Sequence, residues 1–167
     1  MSKNKKPRKA YRPRAVAVNT MDLALHRAAK PAQADLAQVL AGLQRAVQAL
    51  RTGCATQHDW CVAAGSASVA QAIERQGVVR GLREHLASAG AVLQAIHERC
   101  ARPSMWLRPT LSGAESEALQ LLVELHAFQM QQLGRAEFLR AIDAAEKDTI
   151  ANGGTVTLVR DIERMAA

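Results

Sequence analysis

Seven apolar residues, Val79, Leu82, Leu86, Ala89, Leu93, Ile96 and Cys100, recur at alternating steps of three and four and run up to a stop before Pro103. That rhythm gathers all seven on one side of an α-helix, whereas a strand would scatter them over both faces, so it demands a long helix with a one-sided seam. A seam of this kind needs a partner helix to cover it. The preceding stretch, 56–75, supplies one, with Val62, Gly65, Val69 and Ile73 on one face and a stop at Gln76-Gly77, where glycine can take a left-handed C-cap. The pair is expected to form an antiparallel hairpin turning near Gly77. In that register Gly65 lies level with Ser88 and Ala63 with Gly90, so close packing of small residues would offset the roughly 1 kcal/mol that each interior glycine costs a helix.

The rest of the chain repeats the theme. Leu36, Leu40, Leu43, Val47 and Leu50 form a stripe that begins at about Gln33 and ends at Gly53. Before it, Thr20 caps a brief helix that stops ahead of Pro31. Arg102 to Thr110 reads as a loop punctuated by Pro103 and Pro109, after which Ser112 and Glu115 have the spacing of a capping box. The helix they open has Ala118, Leu122, Leu125 and Phe128 as its stripe. Gly134 is a break or a tolerated interior residue; beyond it Phe138, Leu139, Ile142 and Ala145 carry a helical pattern to about Ile150, and Asn152-Gly153-Gly154 ends it. Thr155 to Val159 is either a strand partner for Ala15 to Val18 or a packed extension. Aromatics are only 3% of a chain that is 49% hydrophobic, so the core is expected to be built from Leu, Val, Ile and Ala. The expected fold is all-α: a single helical bundle of about five helices with antiparallel hairpins over 20–151. A flexible basic arm, 1–19, precedes it and a C-terminal extension, 152–167, follows.

Charge divides the chain in the same place. Lys3, Lys5, Lys6, Arg8, Lys9, Arg12 and Arg14 fall within the first fourteen residues with no acid among them, and they account for the whole net charge of +7. Pro7 and Pro13 deny this head a helix, and a block of like charge stays solvated until it meets an anion, so the head is expected to be disordered when free. It is a candidate tether for the phosphate backbone of DNA or RNA, with Tyr11 placed to stack on a base or sugar. An acidic protein surface, anionic lipid, or no partner beyond solvent are the other readings. No recognition helix of the helix-turn-helix kind stands out, so sequence reading is not expected. No run has the length of a membrane span and no signal peptide follows the head, which points to a cytoplasmic protein without a membrane partner.

One constellation has ligand chemistry. Cys54, His58 and Cys61 stand at i, i+4 and i+7, and His97 and Cys100 stand at i, i+3; an antiparallel hairpin brings the start of one helix beside the end of the other. Thiolate and imidazole would suit tetrahedral zinc. The spacing matches no standard zinc module, and a free cysteine commonly acts as a small buried hydrophobe, so core packing is the competing reading and no cofactor is the default expectation. Glu84-His85, His97-Glu98 and His58-Asp59 are neighbours that diverge by about 100° on a helix and do not orient each other as acid and base. With no phosphate loop, nucleophile elbow or His-Glu-x-x-His present, an enzyme is not expected. Trp60 and Trp106 read as anchors that staple helix to loop.

The head KKPRKAYRPRAVAVNTM, the segment QHDW at 57–60 and WLRPTLSGAESEALQLLVELHAFQMQQLGRAEF at 106–138 resemble a group of small, uncharacterised, basic-headed helical proteins of temperate phages and prophages of proteobacteria. The likeness is one of layout and runs over most of the chain. It implies a bacterial cytoplasmic setting and an accessory phage role, either docking on nucleic acid or a nucleic-acid-bound complex through the arm, or regulating or inhibiting a host or defence factor through a helix face. It carries no binding or catalytic residue with it.

Overall fold

The computed structural model describes Met21 and residues 29–154. The basic arm, most of the helix expected after Thr20, and the pairing expected between Ala15–Val18 and Thr155–Val159 lie outside the described residues. Within them the chain forms five helices: α1 (Gln33–Arg51), α2 (Gln57–Gln76), α3 (Arg83–Cys100), α4 (Gly113–Gln132) and α5 (Arg135–Ala151). Two two-residue strands, β1 (Ala101–Arg102) and β2 (Met105–Trp106), make a small antiparallel hairpin between α3 and α4. The loop expected over 102–110 is thus partly ordered by pairing.

The helix ends follow from local chemistry. Thr56 and Asp59 close a capping box on α2, with the Thr56 N–H donating to Asp59 Oδ2 at 2.8 Å and the Asp59 N–H donating to Thr56 Oγ1 at 3.3 Å. Ser112 and Glu115 close the same motif on α4, at 2.8 and 3.2 Å. Each box satisfies two of the orphan donors that every helix start leaves. Helix α3 has no such side chain of its own. Its start is capped from across the turn, where Glu74 Oε1 on α2 accepts from the backbone N–H of Gly81 at 2.9 Å and of Leu82 at 3.3 Å. That turn is possible because Gly77 adopts φ 79°, the left-handed region that a side chain disfavours. Gly53, at φ 71°, ends α1 in the same way, and an added Cβ there would lie 3.2 Å from the Pro109 carbonyl oxygen.

Helices α1 to α4 form an antiparallel ring in which each packs on the next and α4 returns to α1. Helix α2 touches all four of the others. Its buried surface explains how: Ala63, Ala67 and Ala70 meet Leu43, Val47 and Leu50 of α1, Leu86, Leu93 and Ile96 of α3, and Leu119 and Leu122 of α4 in one core. Small side chains on the central helix let large ones from the surrounding helices fill the space, as close packing requires. A second cluster, of Leu36, Ala72, Ile73, Met130, Leu133, Ala141 and Ala145, seats α5 on α2. Helix α5 runs antiparallel to α2, starting beside Gln76 and ending near Ser68.

The expected stripe of α1 is as read, with Leu36, Leu43, Val47 and Leu50 buried and Leu40 half-buried. The seam of α3 holds from Leu86 to Cys100, although the helix itself begins only at Arg83, leaving Val79 buried in the turn. Two stripes are corrected. On α2 Ile73 of the expected stripe is buried, but most of the buried face is alanine, while Val62 and Val69 are half-buried and Gly65 is exposed with nothing within 4 Å of an added Cβ. A helix enclosed by four neighbours has no single apolar stripe to read. On α4 the buried residues are Leu119, Leu122, Val123, His126, Gln129 and Met130, and the expected Phe128 points outward, 50% exposed.

Candidate functional site

The antiparallel ring gathers chemistry at two poles. One pole collects the end of α1, the starts of α2 and α4, the end of α3, and the hairpin. Here Trp60, His97 and Trp106 form a half-buried ring cluster, with centroids 4.5 Å apart for Trp60 and His97, 6.1 Å for the two indoles, and 6.2 Å for His97 and Trp106. Both indoles are tied down: Trp60 Nε1–H donates to the Leu93 carbonyl at 2.8 Å and Trp106 Nε1–H to the Ala55 carbonyl at 3.0 Å. Each therefore staples one element to another, in agreement with the anchor reading.

The five residues with ligand chemistry all lie toward this pole, but they are not assembled as a metal site. Among the described residues no three His, Cys, Asp or Glu side chains form a group that would hold a metal ion. Cys100 is buried in the main core as the last residue of the α3 seam. Cys54 is exposed and turned back on its own chain, its Sγ 3.0 Å from Thr52 Oγ1. Cys61 is exposed, yet desolvation pushes its thiol up, away from the thiolate that binds metal. His97 packs against both indoles with its ring tilted to each, and His58 is exposed on the first turn of α2. The core takes Cys100 and the indoles take the ring of His97.

The hairpin itself is pinned. Leu107 N–H donates to the Cys100 carbonyl at 2.8 Å, Arg99 pairs with Glu115 at 2.7 Å and reaches the Thr110 carbonyl at 3.3 Å, and Trp106 holds Ala55. The Arg99 guanidinium, with help from the Ser112 cap, holds the Glu115 carboxyl below its ordinary range. Along β2 the burial alternates: Met105 is exposed, Trp106 half-buried, Leu107 exposed, as a strand with one covered face dictates.

The opposite pole receives the chain. The Ala29 carbonyl accepts from the Arg135 N–H at 2.9 Å, which fixes the polypeptide leading out of the arm beside the start of α5. Lys30, Arg80, Arg83 and Arg135 are exposed around this pole. Of the acids there, Glu74 and Glu137 are occupied in capping backbone N–H groups of α3 and of Gly134. Arg80 and Arg83 thus lie at the pole that holds Ala29, whereas Arg108 lies at the far one. The seven arm cations themselves lie outside the described residues.

A shallow polar groove of about 340 Å³ runs between α2 and α5, lined by Ser68, Gln71, Thr149 and Asn152 and spanned by the Arg75–Asp148 ion pair. Deeper in the bundle, Gln129 bridges α4 to α2 by donating to the Ala70 carbonyl at 3.0 Å while its Oε1 faces His126 Nδ1 at 3.5 Å. Burial lowers the His126 pKa from its ordinary 6.5. Sequence reading missed this pair. The signal was the run Leu119, Leu122, His126, Gln129, Leu133, which keeps helical spacing through two polar residues.

Among the described residues no helix is long and apolar enough to cross a membrane. Comparison with protein-family models, with curated proteins and with solved structures finds no match to this chain.

Proposed function

We propose that the chain is a non-enzymatic, phage-type accessory protein that docks on nucleic acid, or on a nucleic-acid-bound complex, through its basic N-terminal arm. One observation carries this reading. Residues 29–154 hold as many acids as bases, so the positive charge is concentrated in the arm rather than spread over the folded surface. Lys30, Arg80, Arg83 and Arg135 are exposed at the pole that holds Ala29, alongside the acids Asp35 and Glu84. Contacts of the arm's cations are made with phosphate and carry no sequence preference. Binding of mixed-sequence duplex DNA and of RNA, titrated across salt, tests it. Full engagement of the arm gives a log-log salt slope of about −6, and deletion of residues 1–14 collapses it. Unchanged affinity after the deletion refutes the tether.

A second reading, a protein-binding regulator or inhibitor of a host or defence factor, is favoured by exposed apolar side chains on the helices. Phe128 on α4 and Leu139 on α5 are 50% and 54% exposed. Under this reading the arm is incidental and its deletion leaves partner binding unchanged.

A further inference from the structure

We propose that the β1–β2 hairpin is a docking surface for a protein segment that carries carboxylates beside apolar side chains. This surface is separate from the arm and goes beyond the arm-based reading. Turn and loop positions favour polar and special-backbone residues, yet this one presents Met105 and Leu107, 60% and 37% exposed. They share the outward face of β2 because Trp106 between them is turned in to staple Ala55. Arg102 stands directly opposite Met105 in the strand register, and side chains in that relation share a face. Arg102 donates only to backbone carbonyls, those of Ala101 at 2.8 Å and Glu98 at 3.3 Å, so its charge has no carboxylate opposite it. Arg108 is exposed just beyond Leu107, next to this face rather than in its register. The face therefore reads one cation beside two apolar side chains, with a second cation adjoining it.

Charge and hydropathy together select the occupant. Arg102 beside two apolar side chains, with Arg108 adjoining, complements acids set beside apolar groups, and a surface that joins apolar contact with charge-assisted hydrogen bonds is the kind that fixes a protein partner. Nucleic acid is the poorer fit here, because base stacking needs open ring faces and both indoles of this pole are half-buried and hydrogen-bonded inward. The hairpin is also pre-organised. It is held by the Leu107, Arg99 and Trp106 bonds, so little order has to be created on binding.

The test uses the full chain as bait for a random peptide library, with the Met105→Asp/Leu107→Asp chain as the counter-bait. The expected result is enrichment of peptides that place Asp or Glu beside Leu, Ile or Phe. Binding of the best peptide falls about tenfold or more in the counter-bait and again in Arg102→Glu/Arg108→Glu. The milder Met105→Ser, which touches no buried group, guards against loss of fold, and its urea midpoint should match the wild type. Enriched peptides without carboxylates, or acidic peptides held equally by the counter-bait and so by the arm, overturn the proposal. So does loss of oligonucleotide binding, or of self-association in sedimentation, on changing the hairpin, since either names another occupant. The arm reading fails or stands on the 1–14 deletion alone, so the two are judged apart.

Discussion

Two interior glycines on the paired helices α2 and α3 sit in different physical settings, and their replacement by alanine should separate them. Gly65 lies mid-helix in α2, exposed, with no atom within 4 Å of an added Cβ. Gly65→Ala then gains only helix propensity and loses only unfolded-chain freedom, a stabilisation of about 1 kcal/mol. For a chain of this size that raises Tm by roughly 2–4 °C. Gly90 on α3 differs: an added Cβ would come within 2.8 Å of Gln71 Nε2, the donor to the Leu86 carbonyl at 3.1 Å. The same propensity gain is there offset by the displaced bond between α2 and α3, about 1 kcal/mol, so Gly90→Ala should be near neutral. Removing the obstacle should restore the gain: in a Gln71→Ala background, Gly90→Ala should stabilise by about 1 kcal/mol, a coupling that the double-mutant cycle isolates. Urea unfolding followed by helical circular dichroism gives each value as a shift of midpoint at constant m. Equal stabilisation by the two substitutions in the wild-type background refutes the role given to Gln71. A destabilising Gly65→Ala refutes the outward orientation of that face of α2.

Three further outcomes follow from the same contacts. Because burial holds the folded His126 pKa below its ordinary 6.5, the unfolded chain binds more protons between the two values; stability should therefore fall as pH drops through that window, and His126→Gln should flatten the slope of urea midpoint against pH there. Glu74→Ala leaves the Gly81 and Leu82 N–H groups without their acceptor and should cost about 1–3 kcal/mol, while Glu74→Gln, which keeps an oxygen at Oε1, should cost clearly less in the same urea assay. Thr56→Ala and Ser112→Ala each open a capping box and should each cost about 1 kcal/mol, additively in calorimetric melts because they cap different helices.

Helix positions were legible because their punctuation is local. Ser112 with Glu115 and the glycines at 53 and 77 mark ends that depend on one or two neighbouring residues, and the Thr56–Asp59 box, which sequence reading did not use, is of the same local kind. The α3 seam was legible because its covered face is the only strongly apolar one. What escaped depended on the third dimension. Ala63, Ala67 and Ala70 are the core face of α2 only because four helices crowd it, and alanine spacing alone does not reveal that. His126 and Gln129 look like surface residues until Ala70 supplies the acceptor that makes their burial tolerable. Glu74, 9% exposed, reads as a solvated acid until the turn folds the start of α3 onto it. Of the Cys and His residues that topology brings toward one pole, the seam of α3 takes Cys100 into the core, while Cys61 on α2 and Cys54 in the loop before it are exposed.

The geometry also constrains how an arm-bound and a hairpin-bound partner could influence each other. Helix α1 spans the distance between the two poles, and its 19 residues make that about 28 Å, several Debye lengths at physiological salt. Direct electrostatic communication between a ligand held at the pole of Lys30, Arg80, Arg83 and Arg135 and Arg102 or Arg108 is therefore screened out. Coupling would have to pass through the packed ring, and α2, which touches every other helix, is the element that would carry it. Its core face is alanine, whose single methyl groups have no rotamers to switch, and the interhelix bonds from Gln71, Glu74 and Gln129 hold it against α3 and α4. An element fixed in this way has one packed arrangement, and energetic coupling needs two. On the proposed reading the bundle is a rigid spacer between two independent contacts. Loss of arm binding and loss of hairpin binding should then add in free energy, with each site's affinity unchanged by occupation of the other.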